Sequence, residues 1–80
     1  MMNDINKGDI VKCINEKNSL NKLKENKVYR VTHYFTSENI PYISLNGEYM
    51  WSWDAERFAR LNDVELFLYY SYGDDALIGG

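Results

Sequence analysis

Asn46-Gly47 constrains the path of this chain more than any other pair in it. A two-residue type I′ turn needs positive φ at both central positions, which asparagine and glycine tolerate and most other pairs do not. The flanking runs are YISL (42–45) and EYMWSW (48–53), so the pair predicts an antiparallel hairpin with Ile43 and Leu45 pointing inward. Upstream, VYRVTHYF (28–35) alternates with the period of a strand. Tyr29, Val31, His33 and Phe35 share one face, and Val28, Arg30, Thr32 and Tyr34 the other. GDIVKCI (8–14) supplies a first strand over about 9–14, starting at a glycine and rich in β-branched residues. A polar TSEN turn and Pro41 separate the second strand from the third. Four short strands in the first fifty residues are the mark of a small all-β barrel or sandwich.

The next constraint is volume. In an 80-residue chain, 15% of the residues are aromatic, and each large ring buries roughly 150–250 Å². On a strand, Tyr49, Trp51 and Trp53 lie on one side, with Glu48, Met50, Ser52 and Asp54 on the other. Three such rings in succession overfill the inside of a small barrel, so at least one must reach a rim or groove. DAERF (54–58) reads as a tight turn capped by Asp54. Arg57 is placed there to bridge carboxylates such as Asp54 or Glu56.

KGDIVKCI, the loop ending in ENKVYRV, then YISLNG and finally Trp53-x-x-x-Arg57-Phe58 together resemble small SH3-like barrel proteins of tailed phages and prophages. In that group a lysine-glycine-aspartate start, a "GKxYxV" second strand and a tryptophan followed by "RF" recur in this order. The resemblance covers residues 7 to about 61, with Asn26 standing where the group usually has glycine. It implies an SH3-like five-stranded barrel over residues 1–61 with a C-terminal extension over 62–80. It also implies that Tyr29, Val31, Trp53 and Phe58 are core residues, which leaves Tyr49 and Trp51 at the rim. No catalytic residue carries over.

The extension, LNDVELFLYYSYGDDALIGG, admits two readings. As a helix it would open on a capping box, Asn62 with Glu65, and close on Gly73. That helix would carry Val64, Leu66, Phe67, Leu68, Tyr69 and Tyr70 all around its circumference, which suits no surface helix. As a strand it places Val64, Leu66, Leu68, Tyr70 and Tyr72 on one face and Glu65, Phe67, Tyr69 and Ser71 on the other. The strand is the better match, and it predicts that Phe67 and Tyr69 are exposed or paired with another chain, a homodimer included. The terminal diglycine resembles the end of a ubiquitin-like modifier, but that fold needs a substantial central helix that the barrel pattern lacks. The expectation is a mobile, acidic, glycine-ended terminus.

Charge is divided unevenly. Residues 1–30 hold seven basic and four acidic side chains, and residues 31–80 two basic and eight acidic. The basic residues are densest in NEKNSLNKLKENK (15–27), a solvated loop by composition. His33 is the single histidine and Cys13 the single cysteine. The first has no nucleophile partner in pattern, the second permits no intrachain disulfide, and together they fall short of the four ligands of a structural zinc. No cofactor or metal is implied, and the chain reads as non-enzymatic. With no apolar leader and no apolar run of the roughly 18 residues a membrane helix requires, the expectation is a cytoplasmic protein without membrane contact, in the host cytoplasm if phage-encoded.

Two functions compete on these grounds. In the first, an aromatic and acidic surface made of Tyr49, Trp51, Phe67, Tyr69, Tyr70, Tyr72, Asp74 and Asp75 binds a bacterial host protein and inhibits or redirects it. The phage resemblance suggests a defence factor as that target. Tyrosine and tryptophan suit this role because they offer large rigid contact area at low entropic cost. In the second, Lys17, Lys22, Lys24 and Lys27 follow a nucleic-acid backbone or hold a nucleotide while Trp51 or Tyr34 stacks on bases. The pI near 5.0 and the absence of basic residues interleaved with the aromatics in the sequence favour the first.

Overall fold

The alternating run becomes the longest strand of the protein. A computed structural model describes residues 5–48 and 50–73. In it β2 (Val28–Ser37) lies between β1 (Ile10–Cys13) and β3 (Ile40–Leu45), with β4 (Trp53–Asp54) and β5 (Phe58–Arg60) at the two ends of a single antiparallel sheet of order β4-β3-β2-β1-β5. A 3₁₀ turn, Ala55–Arg57, links β4 to β5, and a helix, α1 (Asp63–Tyr72), follows.

The order of strands dictates the shape. Five strands laid flat would hold the two edges roughly 19 Å apart. The chain crosses from Asp54 at one edge to Phe58 at the other through three residues, a path of at most about 14 Å even when fully extended. The sheet is therefore curled, and its concave side holds Val11, Cys13, Val31, Ile43, Ala55 and Phe58, all buried. Ile5, Leu23 and Leu45 complete this core. Tyr29 meets Phe58 edge to face with ring centroids 6.1 Å apart, and Cys13 pairs opposite Phe58 across β1 and β5. Tyr29, Val31 and Phe58 are thus core residues, while Trp53 is half-buried against the core. The sheet does not close: β4 pairs only with β3, and β5 only with β1. The expected closed barrel is in fact an open curled sheet, because β4 ends after two residues where the Asp54 side chain accepts the Glu56 amide and starts the turn.

Two strand expectations need correction. Register shifts between Val31 and His33 in β2, so the single alternation over residues 28–35 breaks at a bulge. Val31 faces Leu45 and Tyr34 faces Ile43, which moves His33 and Phe35 to the side of Ser44 and Tyr42. The Thr32 hydroxyl fills the bulge by donating to the Ser44 carbonyl and accepting from the Gly47 amide. Phe35 stacks on Tyr42 at 5.5 Å. The second correction concerns EYMWSW. Asn46 and Gly47 do take positive φ (52° and 80°), and the Glu48 amide closes the turn on the Leu45 carbonyl at 2.8 Å. Pairing with β3 nevertheless resumes only at Trp53, opposite Ile43. Glu48, Met50, Trp51 and Ser52 loop outward, which relieves the crowding of three consecutive rings.

Residues 62–72 are a helix, not the favoured strand. Asn62 Oδ1 accepts the Glu65 amide and Glu65 Oε1 accepts the Asn62 amide, at 2.8 and 3.0 Å, a complete capping box. Gly73 stops the helix at φ 82°, its amide donating to the Tyr69 carbonyl. Local terminus chemistry prevails over periodicity, and the objection drawn from periodicity survives as an observation: α1 contains no buried residue.

Phe58→Ala should destabilise the fold by about 3–5 kcal/mol, a large share of the stability of so small a domain. Urea unfolding followed by far-ultraviolet circular dichroism measures this loss. Cys13, buried and with its thiol pushed up by desolvation, should then react readily with an aromatic disulfide reagent that leaves the wild type unmodified.

Candidate functional site

The outward loop after Gly47 forms one wall of a groove, and the Lys/Asn-rich loop forms the other. That second loop is ordered by the residues that made it look merely soluble. Asn18, Asn21 and Asn26 take left-handed φ (58°, 63° and 70°), a region asparagine visits more readily than most residues. Asn26 thereby serves where a glycine would otherwise be needed. Ser19 and Leu23 are buried beneath the loop, the Tyr29 hydroxyl accepts the Lys24 amide, and the Glu16 carboxylate accepts the Glu25 amide.

Arg57 ties the loop to the core turn. Its guanidinium donates to the carbonyls of Asn15 and Lys17 at 3.1 and 2.6 Å, instead of bridging Asp54 or Glu56 as the sequence suggested. Its own carbonyl accepts the Ile14 amide. The same guanidinium lies 5.7 Å from the Trp53 ring, and Trp53 stacks on Trp51 at 6.0 Å with planes 12° apart. Lys22 Nζ sits 4.6 Å from the Trp51 ring. Each ring of the stacked Trp51–Trp53 pair thus has a cation over it, Lys22 on Trp51 and Arg57 on Trp53. Beside the pair lies a groove of about 400 Å³ whose walls include Tyr29 and Leu45, with Asn21, Asn46 and Glu48 also lining it.

The structure divides the aromatic surface foreseen in the sequence. Trp51 is 36% exposed at the groove. Phe67, Tyr70 and Tyr72 are exposed on α1, and Tyr69 is half-buried with its ring against Tyr70. Trp51 precedes β4 and α1 follows β5, at opposite ends of the strand order. Tyr49, Asp74 and Asp75 lie outside the described residues, as does the terminal diglycine. Lys17, Lys22, Lys24 and Lys27 are all exposed. Of these, Lys22 reaches the groove, Lys27 lies 5.9 Å from the Tyr29 ring, and Tyr34 stands on β2 outside the groove wall. Basic groups and rings that are separate in sequence are interleaved in space. Sequence reasoning missed the groove roles of Tyr29 and Trp53, the placement of Arg57 over Trp53, and the exposure of Val64. The first three are drawn together by the curl and leave no local pattern.

α1 is fastened to the sheet near its start. Leu61 is buried, and Lys12 on β1 forms an ion pair with Glu65. The Glu65 carboxyl is held below its usual range, first by the Lys12 side chain and then by the Asn62 amide. Among the described residues no three His, Cys, Asp or Glu side chains converge as a metal site would require. No described helix is long and apolar enough to cross a membrane. No family model, curated protein or solved structure matches the chain.

Arg57→Met should keep the sheet but release the loop, costing about 1–2 kcal/mol. Faster amide exchange at Asn18–Leu20 and altered tryptophan emission would report it. For Glu65, a depressed folded pKa means that the stabilisation is fully present above the unfolded value of about 4.3 and is lost as pH falls through the folded value. The stability gap between wild type and Glu65→Gln should thus be about 1 kcal/mol at neutral pH and shrink on acidification below about pH 4, measured by urea titration across pH.

Proposed function

We propose that this chain is a non-catalytic protein-binding module whose contact surface is the outer stripe of α1. One observation carries the reading: in a ten-residue helix with no buried residue, Val64, Phe67, Tyr70 and Tyr72 are 67%, 65%, 69% and 71% exposed. Val64, Phe67 and Tyr70 succeed one another at i, i+3 spacing, the arrangement by which an amphipathic helix lays anchors into an apolar groove of a partner. Uncovered apolar area of this kind costs solubility unless something is meant to cover it. Leu66, Leu68 and Tyr69, half-buried on the inner side, keep the helix seated while the stripe engages.

The charges on α1 describe the partner further. Asp63 is exposed in the first turn, Glu65 is turned to Lys12, and the last turn has no basic residue, so the complementary groove is apolar with a basic group near the helix start. The resemblance to phage barrel proteins makes a bacterial host protein the occupant, inhibited or redirected on binding, with a defence factor as one such target. The first turn supplies part of the acidic character of the surface; Asp74 and Asp75 follow closely in sequence.

Capture from bacterial lysate with immobilised wild type, compared with Phe67→Ala and Tyr70→Ala, tests this reading. Both substitutions are at exposed positions and should leave the melting transition within the range of neutral surface changes, about 0.5 kcal/mol. Each should abolish retention of the captured protein in stoichiometric amounts. Unchanged capture by both variants would remove the helix from the interface. Sedimentation supplies the other arm: a dimer that Phe67→Asp converts to monomer would assign the stripe to a second copy of this chain, against a host protein.

A further inference from the structure

Each of three rings in the groove wall carries its own cation: Lys22 on Trp51, Lys27 on Tyr29 and Arg57 on Trp53. Glu48 is the single carboxylate lining the groove, and its Oε1 already accepts the Met50 amide. Lys22 is the single cation among the lining residues, and Lys27 and Arg57 bring two more to the groove-wall rings from outside the lining, in a chain of formal net charge -3. A ligand complementary to this groove has planar π-faces at intervals along a negatively charged backbone.

We propose that the groove binds single-stranded nucleic acid. A base stacks on the indole face of Trp51 that Lys22 now covers, and the Lys22 ammonium moves to an adjacent phosphate. The exchange is favourable because an exposed cation–π contact is weaker than a base–indole stack, and the displaced ammonium gains a phosphate. Lys27 stands at the next ring to take a second phosphate, while Arg57, held by two loop carbonyls, stays in place and stiffens the Trp53 floor. Asn21 and Asn46 at the rim offer amide groups to base edges. This site uses no part of α1, so it stands or falls separately from the protein-binding reading.

Anisotropy of fluorescein-labelled oligothymidylate and oligouridylate, titrated with the intact chain, tests the proposal and shows whether DNA or RNA is preferred. Binding should weaken about sevenfold between about 50 and 200 mM salt if the two phosphates facing Lys22 and Lys27 are contacted. Because both tryptophans of the sequence are in the groove, intrinsic emission should be quenched in parallel. Lys22→Glu and Trp51→Ala should each weaken binding about tenfold or more, with Trp51→Phe restoring most of the loss and Phe67→Ala changing nothing. Melting curves of each variant exclude unfolding as the cause. Absence of binding at low salt, or indifference to Trp51→Ala, would overturn the proposal. So would competition by polyglutamate or inorganic polyphosphate equal to that of unlabelled oligonucleotide, since charge alone would then suffice. Thymidine monophosphate binding as tightly as the oligomer would equally overturn a strand-binding groove.

Discussion

Three residues, Ala55–Arg57, carry the chain from one edge of the sheet to the other, and this short crossing bends everything around it. Ala55 is fully buried in the bend, where a larger side chain would force the two edges apart. Phe58, immediately after the turn, is drawn to the centre of the concave side and meets Tyr29 of the central strand β2. The hydrogen bond from the Ile14 amide to the Arg57 carbonyl extends the end of β1 along the turn. Removing the crossing would leave a flat hairpin array with one face wet, an arrangement too thin to enclose a core from so few residues.

A curled sheet of this size has little interior, and the chain has twelve aromatic residues to place. Among the described residues only Tyr29 and Phe58 are buried rings. Tyr34 apart, the surplus among the described residues falls into three groups. Phe35 and Tyr42 cover each other on the outer side of the β2–β3 hairpin, Trp51 and Trp53 stack in the groove wall, and the rings of α1 line an exposed helix. Pairing rings on the surface lowers the apolar area each shows to water, so the first two groups are partly self-satisfied. The α1 stripe is the least covered of the three.

The sequence made the sheet legible because alternation and turn chemistry act locally. Residues 28–35 read as a strand, Asn46-Gly47 read as a positive-φ turn, and Tyr29, Val31 and Phe58 read as core by resemblance; all three hold. The Thr32 bulge was not legible, because it depends on a hydroxyl bridging to Ser44 and Gly47 from another strand. The helix at 63–72 runs against the burial periodicity that favours a strand: its capping box and terminal glycine are local signals that decide the element, and periodicity is informative only when an element is buried. The groove was illegible altogether, since Lys22 and Trp51 meet only after the loop has folded on Ser19 and Leu23 and Arg57 has fastened it.

That fastening gives the two surfaces different mechanical characters. The groove is built on the bend itself: Arg57 belongs to the crossing turn, holds the loop carbonyls and lies over Trp53, so whatever keeps the sheet curled also keeps the groove shaped. A ligand entering it finds rings already set in parallel, and the cost of ordering falls mainly on the Lys22 side chain. α1 is attached instead through Leu61, the half-buried Leu66, Leu68 and Tyr69 and one ion pair to Lys12, with no fully buried residue of its own. Few buried apolar contacts give such a helix a low local stability relative to the sheet. The groove and α1 therefore differ in how they are held: the first by the same turn that curls the sheet, the second by Leu61, half-buried side chains and one ion pair.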